Sequence, residues 1–309
     1  DRISYDPPTR IFCHRGCLSA SAAIDKANFA RKQVRSNTRV SAIQFDKKLE
    51  VKQTLTGELL SGLPQALENG EFKLYLQPKF SPKDLSIIGA EALTRWIKPD
   101  GTVVYPDQFI PILESTGRIV ELDLYIFEQV ARFLQRNAQA GHRLLPIAVN
   151  ASAVLAREDA PTQEYSEILE KHNISARMLE IELTETAVVS EYDRVKRLLS
   201  SFQSDGMQTS LDDFGAGGSL LNNMVDIPVN TIKLDKLFLT RCSSNARGTD
   251  FLREVVHLVK RLGYNVICEG IETEEQVQLL RSLDCDGAQG FWFSKAIPAE
   301  EFEWRYLCD

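Results

Sequence analysis

The sequence predicts an α/β fold: a TIM-like (β/α)8 barrel with one antiparallel strand, preceded by a small N-terminal α/β appendage. Eight strand-like runs alternate with amphipathic stretches from residue 71 onward, as expected for parallel strands joined by crossover helices. The first two runs are separated only by the turn at 81–84, which is too short for a parallel crossover. No G-x-G-x-x-G turn follows the first run, which argues against the alternative, an open doubly wound sheet.

The strand-like runs are short, apolar and separated by helical patterns. Apolar residues recur at helical spacing over 121–139, 191–204 and 249–262, which predicts crossover helices there. Thr273 and Gln276 have the spacing of a capping box and predict the start of a further helix. The predicted strands are 72–78, 85–96, 145–150, 179–185, 208–213, 230–235, 264–270 and 288–293.

The residues before the barrel divide into two segments. We expect residues 1–50 to form a small unit of their own, with a helix beginning near Ser19 and a strand at 39–45. Residues 51–70 carry leucines at helical spacing, which predicts a linker helix leading into the main domain, residues 71–309. Because the chain does not begin with Met, we expect it to be part of a longer protein.

The composition narrows the range of partners. Asp and Glu number 43 against 36 Lys and Arg, a formal net charge of −7. A general binder of DNA or RNA needs a basic surface to neutralise phosphates, so no nucleic-acid polymer is expected as a partner. No apolar run approaches the roughly 20 residues that cross a bilayer. Six scattered cysteines predict free thiols, so we expect a cytoplasmic protein or the cytoplasmic part of a membrane-anchored one.

Polar residues recur at or near the ends of the predicted strands. In a parallel barrel the carboxyl ends of the strands meet on one face, so these side chains are expected to converge. Carboxylates brought so close repel one another unless a cation compensates. Oxygen ligands without Cys or His suit Mg²⁺ or Mn²⁺. The residues are Glu91, Asn150, Glu182, Glu185, Asp212, Asp213, Lys233, Asp235, Glu269, Glu272 and Gln289.

The predicted reaction follows from two adjacent carboxylates. Asp212 and Asp213 can serve two metal ions, with Asp212 bridging them. A pair of ions activates a water and stabilises the leaving oxygen of a phosphodiester, so the sequence predicts phosphodiester hydrolysis. Lys233 adds a cation near the water. Two roles are open to it: accepting a proton after a lowering of its pKa, or orienting the nucleophile.

A series of motifs carries a family resemblance. The segment from Phe72 to the end resembles the EAL domain of bacterial cyclic di-GMP phosphodiesterases, and Glu91-Ala92-Leu93 corresponds to the motif that names it. The other matching segments are LYLQP (74–78), FIPILESTG (109–117), VNAS (149–152), ELTET (182–186), DDFGAG (212–217), IKLDKLF (232–238), CEGIE (268–272) and QGFWFSKAIP (289–298).

The resemblance implies an activity and partners. It implies hydrolysis of cyclic di-GMP to linear pGpG with Mg²⁺ or Mn²⁺, two ions in all, by a homodimer. It also implies that Glu91, Asn150, Glu182 and Asp212 bind one metal ion, and that Asp212 and Asp213 hold the second.

The remaining site residues are likewise assigned by the resemblance. Lys233 and Glu269 would contact the catalytic water, and Gln289 would help to position that water or the metal shell. Glu185 would brace the loop after Asp213, and Glu272 would brace the loop of Glu269. The residues that would meet the substrate are Gln77, Leu93 and Arg95, with Arg95 pairing with a phosphate.

Two departures from the family sequence suggest alternative functions. Gly218 and Leu220 replace an aromatic residue and a Ser in the loop after Asp213, and this loop is linked to metal binding in the family. A catalytically silent cyclic di-GMP receptor and a protein-interaction module are therefore the competing functions. Residues 1–45 resemble the C-terminal end of a GGDEF domain through AIDKANFARK (23–32), although the GGDEF signature itself is absent.

Overall fold

The computed structural model describes residues 46–157, 162–216, 223–243 and 245–308, together with Lys26, Asn28 and Phe29. The predicted N-terminal appendage and GGDEF-like remnant lie outside the described residues almost entirely. The loop positions Gly218 and Leu220 lie outside them as well. The division of the chain into remnant, linker helix and barrel stays a prediction.

The described part of the chain contains ten strands. Strand β1 is antiparallel to both of its barrel neighbours, β2 and β9, whereas β2 and β4 to β9 run parallel in sequence order. Strands β3 and β10 add short antiparallel pairings outside the closed ring. The predicted eight-stranded barrel with one antiparallel strand is therefore confirmed. The strands are β1 (Phe72–Phe80), β2 (Ile87–Ile97), β3 (Val103–Val104), β4 (Ile147–Asn150), β5 (Leu179–Thr184), β6 (Gln208–Phe214), β7 (Thr231–Leu234), β8 (Asn265–Cys268), β9 (Gly287–Ala288) and β10 (Ile297–Pro298).

Helices surround the barrel, and the three predicted crossover helices are present, with each limit within three residues of its prediction. The capping box of Thr273 and Gln276 is formed at the start of its helix. None of the described helices combines the length and the apolar composition that a membrane crossing requires. The helices are α1 (Lys47–Glu68), α2 (Pro106–Thr116), α3 (Ile119–Ala140), α4 (Gln163–His172), α5 (Glu185–Ser190), α6 (Tyr192–Ser204), α7 (Lys236–Cys242), α8 (Ala246–Arg261), α9 (Glu274–Ser282) and α10 (Ala299–Tyr306).

Strand alternation separates the helix-packing face of the barrel from its interior. On β5, Leu179, Ile181 and Leu183 are at most 1% exposed and belong to the hydrophobic core. The alternate residues, Glu180 and Glu182, have the opposite parity and contact lysines inside the barrel. Because successive strand residues point to opposite faces, an apolar helix-packing face leaves the interior face free for polar side chains.

The last barrel strand is shorter than predicted. The sequence predicts a strand at 288–293, but only Gly287–Ala288 pairs with the barrel. The aromatic run that follows forms a turn instead, in which the Trp292 N–H donates to the Ile271 carbonyl at 2.9 Å. A Cβ on Gly290 would lie 2.2 Å from the backbone of Ile271, so this contact requires glycine. Close backbone packing therefore overrides the strand preference of the aromatic residues.

Helix α1 packs on the barrel and has a break in its hydrogen bonding. Leu55, Leu59 and Leu63 are among its buried residues. Pro64 lies inside the helix and has no N–H, so the Leu60 carbonyl lacks its usual helical donor. Nη1 of Arg118 donates to this carbonyl at 2.7 Å and to the Leu59 carbonyl at 3.2 Å. Arg118 thereby replaces the missing helical bond and attaches α1 to the main domain.

We expect Arg118→Ala to lower the free energy of unfolding by about 1–3 kcal/mol, because the Leu60 carbonyl loses a charged donor. Arg132→Ala is the matched control, since Arg132 forms a surface pair with Glu128 and is 54% exposed. Such a pair contributes about 0–1 kcal/mol. Urea denaturation of the three proteins measures both changes, and equal losses would contradict the special role of Arg118.

Candidate active site

The structure brings most of the predicted strand-end residues together at the carboxyl rim of the barrel. Asp235 instead caps α7, where its Oδ1 accepts from the N–H groups of Leu237 and Phe238. Glu91 on β2 pairs in register with Gln77 on β1, and Asn150 on β4 pairs with Glu182 on β5. Gln77 and Glu91 both lie in the middle of their strands. The other members lie on β6 and β7 or directly after β8 and β9: Asp212, Asp213, Lys233, Glu269 and Gln289.

Lys233 is the centre of the cluster. Its Nζ lies 2.7 Å from Glu182 Oε2, 2.7 Å from Glu269 Oε1, 3.2 Å from Asp212 Oδ1 and 3.3 Å from Glu91 Oε2. Its side chain is fully buried. Burial alone would lower its pKa, but the surrounding carboxylates outweigh burial and raise the pKa of Lys233 well above its usual value. The protonated state is therefore favoured, which supports the orienting role over the proton-accepting one.

Glu182 is held by two lysines. Its Oε2 accepts from Lys233, and its Oε1 accepts from Nζ of Lys79 at 2.8 Å. Burial would raise the pKa of Glu182, but the attraction of Lys233 and Lys79 outweighs it and holds the pKa at about 2. Glu182 is thus an ionised, fully buried carboxylate with fixed orientation.

Amide side chains orient Glu91. Nδ2 of Asn150 donates to Glu91 Oε1 at 3.1 Å, and Nε2 of Gln289 donates to Glu91 Oε2 at 2.7 Å. Nε2 of Gln289 also donates to Gln77 Oε1 at 3.0 Å, and Gln77 in turn donates to the carbonyl of Ser294. The buried Oε1 of Gln289 has no hydrogen-bond partner among the described residues. An acceptor oxygen left free beside carboxylates suits a cation or an ordered water.

The cluster carries more negative charge than Lys233 neutralises. Burial raises the pKa of Asp212 to about 8, and Glu182 and the other carboxylates add to the rise while Lys233 opposes it. Burial is likewise the main cause of a raised pKa at Glu269 and at Asp213. Burial and mutual repulsion both disfavour the charged forms of these carboxylates, and a bound cation would favour them.

Two groups of carboxylates have the spacing of metal ligands. Within each group the ligand oxygens all lie within 4.8 Å of one another, and Asp212 belongs to both groups. Oxygen ligands of this kind fit Mg²⁺ or Mn²⁺. The groups are Glu91, Glu182 and Asp212, and Asp212, Asp213 and Glu269.

The backbone turns sharply after Asp212. Asp213 has a φ of 58°, and its N–H donates to Asp212 Oδ1 at 2.8 Å. The next turn places the Gly215 N–H 2.9 Å from Oε2 of the buried Glu185. A Cβ on Gly215 would lie 2.5 Å from the Phe238 ring, so this position requires glycine. Glu185 thus contacts the start of the loop after Asp213.

A cavity of about 260 Å³ opens beside the cluster. Arg95 does not line it: its guanidinium lies over the rings of Tyr75 and Tyr105, with 5.6 and 5.8 Å to the ring centroids. Glu272 faces the cavity while its Oε1 pairs with Nζ of Lys236 at 2.6 Å. The lining residues are Gln77, Glu91, Leu93, Asp212, Lys236, Glu269, Gly270, Glu272, Gln289, Gly290 and Phe291.

Sequence reasoning missed two residues that support the site. Lys79 follows Gln77 by two positions on β1, so strand alternation could have placed it in the barrel interior. Asp123 on α3 accepts a hydrogen bond from the Ser152 N–H at 2.9 Å, two residues after Asn150. This hydrogen bond depends on how α3 packs beside β4, and no pattern in the sequence predicts that packing.

We expect Asp123 to make the folded protein less stable as the pH rises from about 4 to about 7. Burial raises the pKa of Asp123 to about 7. The folded state therefore binds more protons than the unfolded state in this window, and raising the pH favours unfolding. Asp123→Asn keeps an acceptor for Ser152 and does not titrate.

Denaturation at several pH values measures the difference in unfolding free energy between Asp123→Asn and the wild type. Between about pH 4 and about pH 7, this difference should change by about 4 kcal/mol in favour of the variant, at about 1.4 kcal/mol per pH unit. A difference that does not change with pH would contradict a buried carboxyl with a raised pKa.

The fold and the site define an α/β-barrel protein with a carboxylate cluster of metal-binding type. The chain belongs to the EAL domain family, whose profile matches residues 61–296. It is 31% identical over 289 residues to the cyclic di-GMP phosphodiesterase NbdA of Pseudomonas aeruginosa, an alignment covering 93% of this chain and 37% of that protein. It is also 33% identical over 280 residues to the signaling protein YkoW of Bacillus subtilis, covering 90% and 34%. The chain thus spans about a third of either protein's length.

Solved structures agree with this assignment. The structure described as PaMucR phosphodiesterase in complex with c-di-GMP matches at a TM-score of 0.72 and 31% identity, covering 79% of this chain and 99% of that one. The EAL domain protein from Listeria monocytogenes EGD-e matches at a TM-score of 0.68 and 27% identity, covering 80% and 97%.

Proposed function

We propose that the chain hydrolyses cyclic di-GMP to linear pGpG with two divalent ions, Mg²⁺ or Mn²⁺. The observation that carries this proposal is the pair of carboxylate groups that share Asp212. A shared carboxylate can bring two ions close together, as two-metal phosphodiester hydrolysis needs. Named phosphodiesterase relatives and a neighbour structure with c-di-GMP bound support the choice of substrate.

Each site residue takes a proposed role from its position. Glu91, Asn150, Glu182 and Asp212 would hold the first ion, and Asp212 and Asp213 would hold the second. Two bound ions would supply Lewis acidity toward the phosphodiester and favour deprotonation of the attacking water.

The chain's own groups orient the reactants in this mechanism. Lys233 keeps its proton and aligns the carboxylates around its Nζ, while Glu269, held through Oε1, offers its other oxygen to the water. Gln289 fixes Glu91 and keeps its free Oε1 for the metal shell or the water. Glu185 and Glu272 hold the loops that follow Asp213 and Glu269. Gln77, Leu93 and Arg95 meet the substrate, and Arg95 would have to leave its two tyrosine rings to pair with a phosphate.

Incubation with cyclic di-GMP and Mg²⁺ or Mn²⁺, followed by chromatography for pGpG, tests the proposal. Product should form with either ion and disappear after chelation. Glu91→Gln should lower kcat/KM by more than about 100-fold, since even outer-shell partners of metal ligands are worth 10–100-fold. The control is Glu58→Gln, an exposed carboxylate on α1 that pairs with Lys98. Binding of cyclic di-GMP without pGpG formation would instead support a silent receptor.

The proposed assembly is a homodimer. Leu237 on α7 and Phe251 on α8 are 56% and 54% exposed, and these two helices pack against each other. Large apolar side chains exposed on neighbouring helices suit a protein interface. Light scattering should show a dimer for the wild type and a monomer for Phe251→Ser. Trp304→Ser, which changes a residue 72% exposed on α10, should stay dimeric. A monomeric wild type would overturn the assembly.

The proposed location is the cytoplasm, in a longer protein with an upstream GGDEF-like segment. The sulfur atoms of Cys268 and Cys285 lie 3.7 Å apart as free thiols, which suits a reducing compartment.

A further inference from the structure

A second lysine lies inside the barrel beneath the rim cluster. Lys79 on β1 is 3% exposed and shares its strand face with Gln77. Its Nζ lies 2.8 Å from Glu182 Oε1 and 3.6 Å from Glu180 Oε2. The mechanism above gives this ammonium group no role, yet a buried charge is costly unless its partners repay the desolvation.

The geometry shows which partner Lys79 serves. Its contact with Glu182 is a short charged hydrogen bond, whereas its distance to Glu180 exceeds hydrogen-bond length. Oε1 of Glu180 has no partner among the described residues, so Lys79 does not complete the bonding of that carboxylate. With Lys233 on Oε2 and Lys79 on Oε1, each oxygen of the Glu182 carboxylate accepts a hydrogen bond from a buried lysine.

We propose that Lys79 is a positioning residue that fixes the orientation in which Glu182 presents its oxygens to a divalent cation. This inference rests on the proposed metal-dependent function and adds a residue beneath the ligands. Ligating carboxylates are commonly oriented by such hydrogen bonds, and losing one lowers metal affinity about 10–100-fold.

A purely electrostatic role makes the opposite prediction. Removing a buried positive charge leaves the carboxylate cluster more negative, and Coulomb attraction would then bind a cation more tightly. Loss of orientation weakens binding instead. The sign of the change in metal affinity therefore separates the two roles of Lys79.

The test measures Mn²⁺ binding by electron paramagnetic resonance of free Mn²⁺, without nucleotide, on the full chain. Lys79→Met should weaken Mn²⁺ binding about 10–100-fold. Glu180→Gln, which removes the more distant partner of Lys79, should leave it within about twofold. The double variant Lys79→Met/Glu180→Gln removes one positive and one negative charge and so guards against misfolding from a charge imbalance. It should bind Mn²⁺ as weakly as Lys79→Met.

Hydrolysis of cyclic di-GMP adds a second measurement. The Mn²⁺ concentration for half-maximal rate should rise in Lys79→Met, while KM for cyclic di-GMP at saturating Mn²⁺ stays unchanged. The positioning role would be overturned if Lys79→Met and Lys79→Met/Glu180→Gln both bound Mn²⁺ with wild-type affinity, or if Lys79→Met bound it more tightly. Either result would leave the proposed function standing. A wild-type chain that binds no Mn²⁺ would overturn both.

Discussion

The ammonium group of Lys233, enclosed by carboxylates from four strands, is the interaction on which the site depends. Taking one cation and several carboxylates out of water costs several kcal/mol for each ion. That cost is met only because a closed barrel brings β2, β5, β6 and β8 around one point on β7. Burial and the neighbouring carboxylates raise the pKa of Asp212, and a divalent ion beside these carboxylates would offset both effects.

Further contacts connect the site to the surrounding helices. Ser152, beside the Asn150 strand end, is held by Asp123 through its N–H and by Glu114 through its hydroxyl. Glu114 lies on α2, and Arg118 just after that helix binds the backbone of α1. The docking of α1 and the position of Asn150 therefore both depend on the short segment that contains Glu114 and Arg118.

Much of the fold was predictable because its determinants are local. The succession of strand-like runs and helices, the helical periodicity and the short turn at 81–84 predict the closed barrel and its antiparallel strand. The polar residues at strand ends predict the cluster, because parallel strands share a carboxyl end. The prediction of a strand over 288–293 is wrong for a non-local reason. Gly290 packs on the Ile271 backbone, and the aromatic residues that follow it form a turn.

The sequence by itself determined the barrel, the residues at its rim and their preference for oxygen-ligated cations, since each follows from a periodicity or a side-chain chemistry. Tertiary structure alone decided how those residues are paired. It placed Lys233 among the carboxylates and raised its pKa, joined Lys79 to Glu182, and set the Arg95 guanidinium over two tyrosine rings. The physical reason is that burial and distance between strands control charge interactions, and neither is a property of sequence spacing.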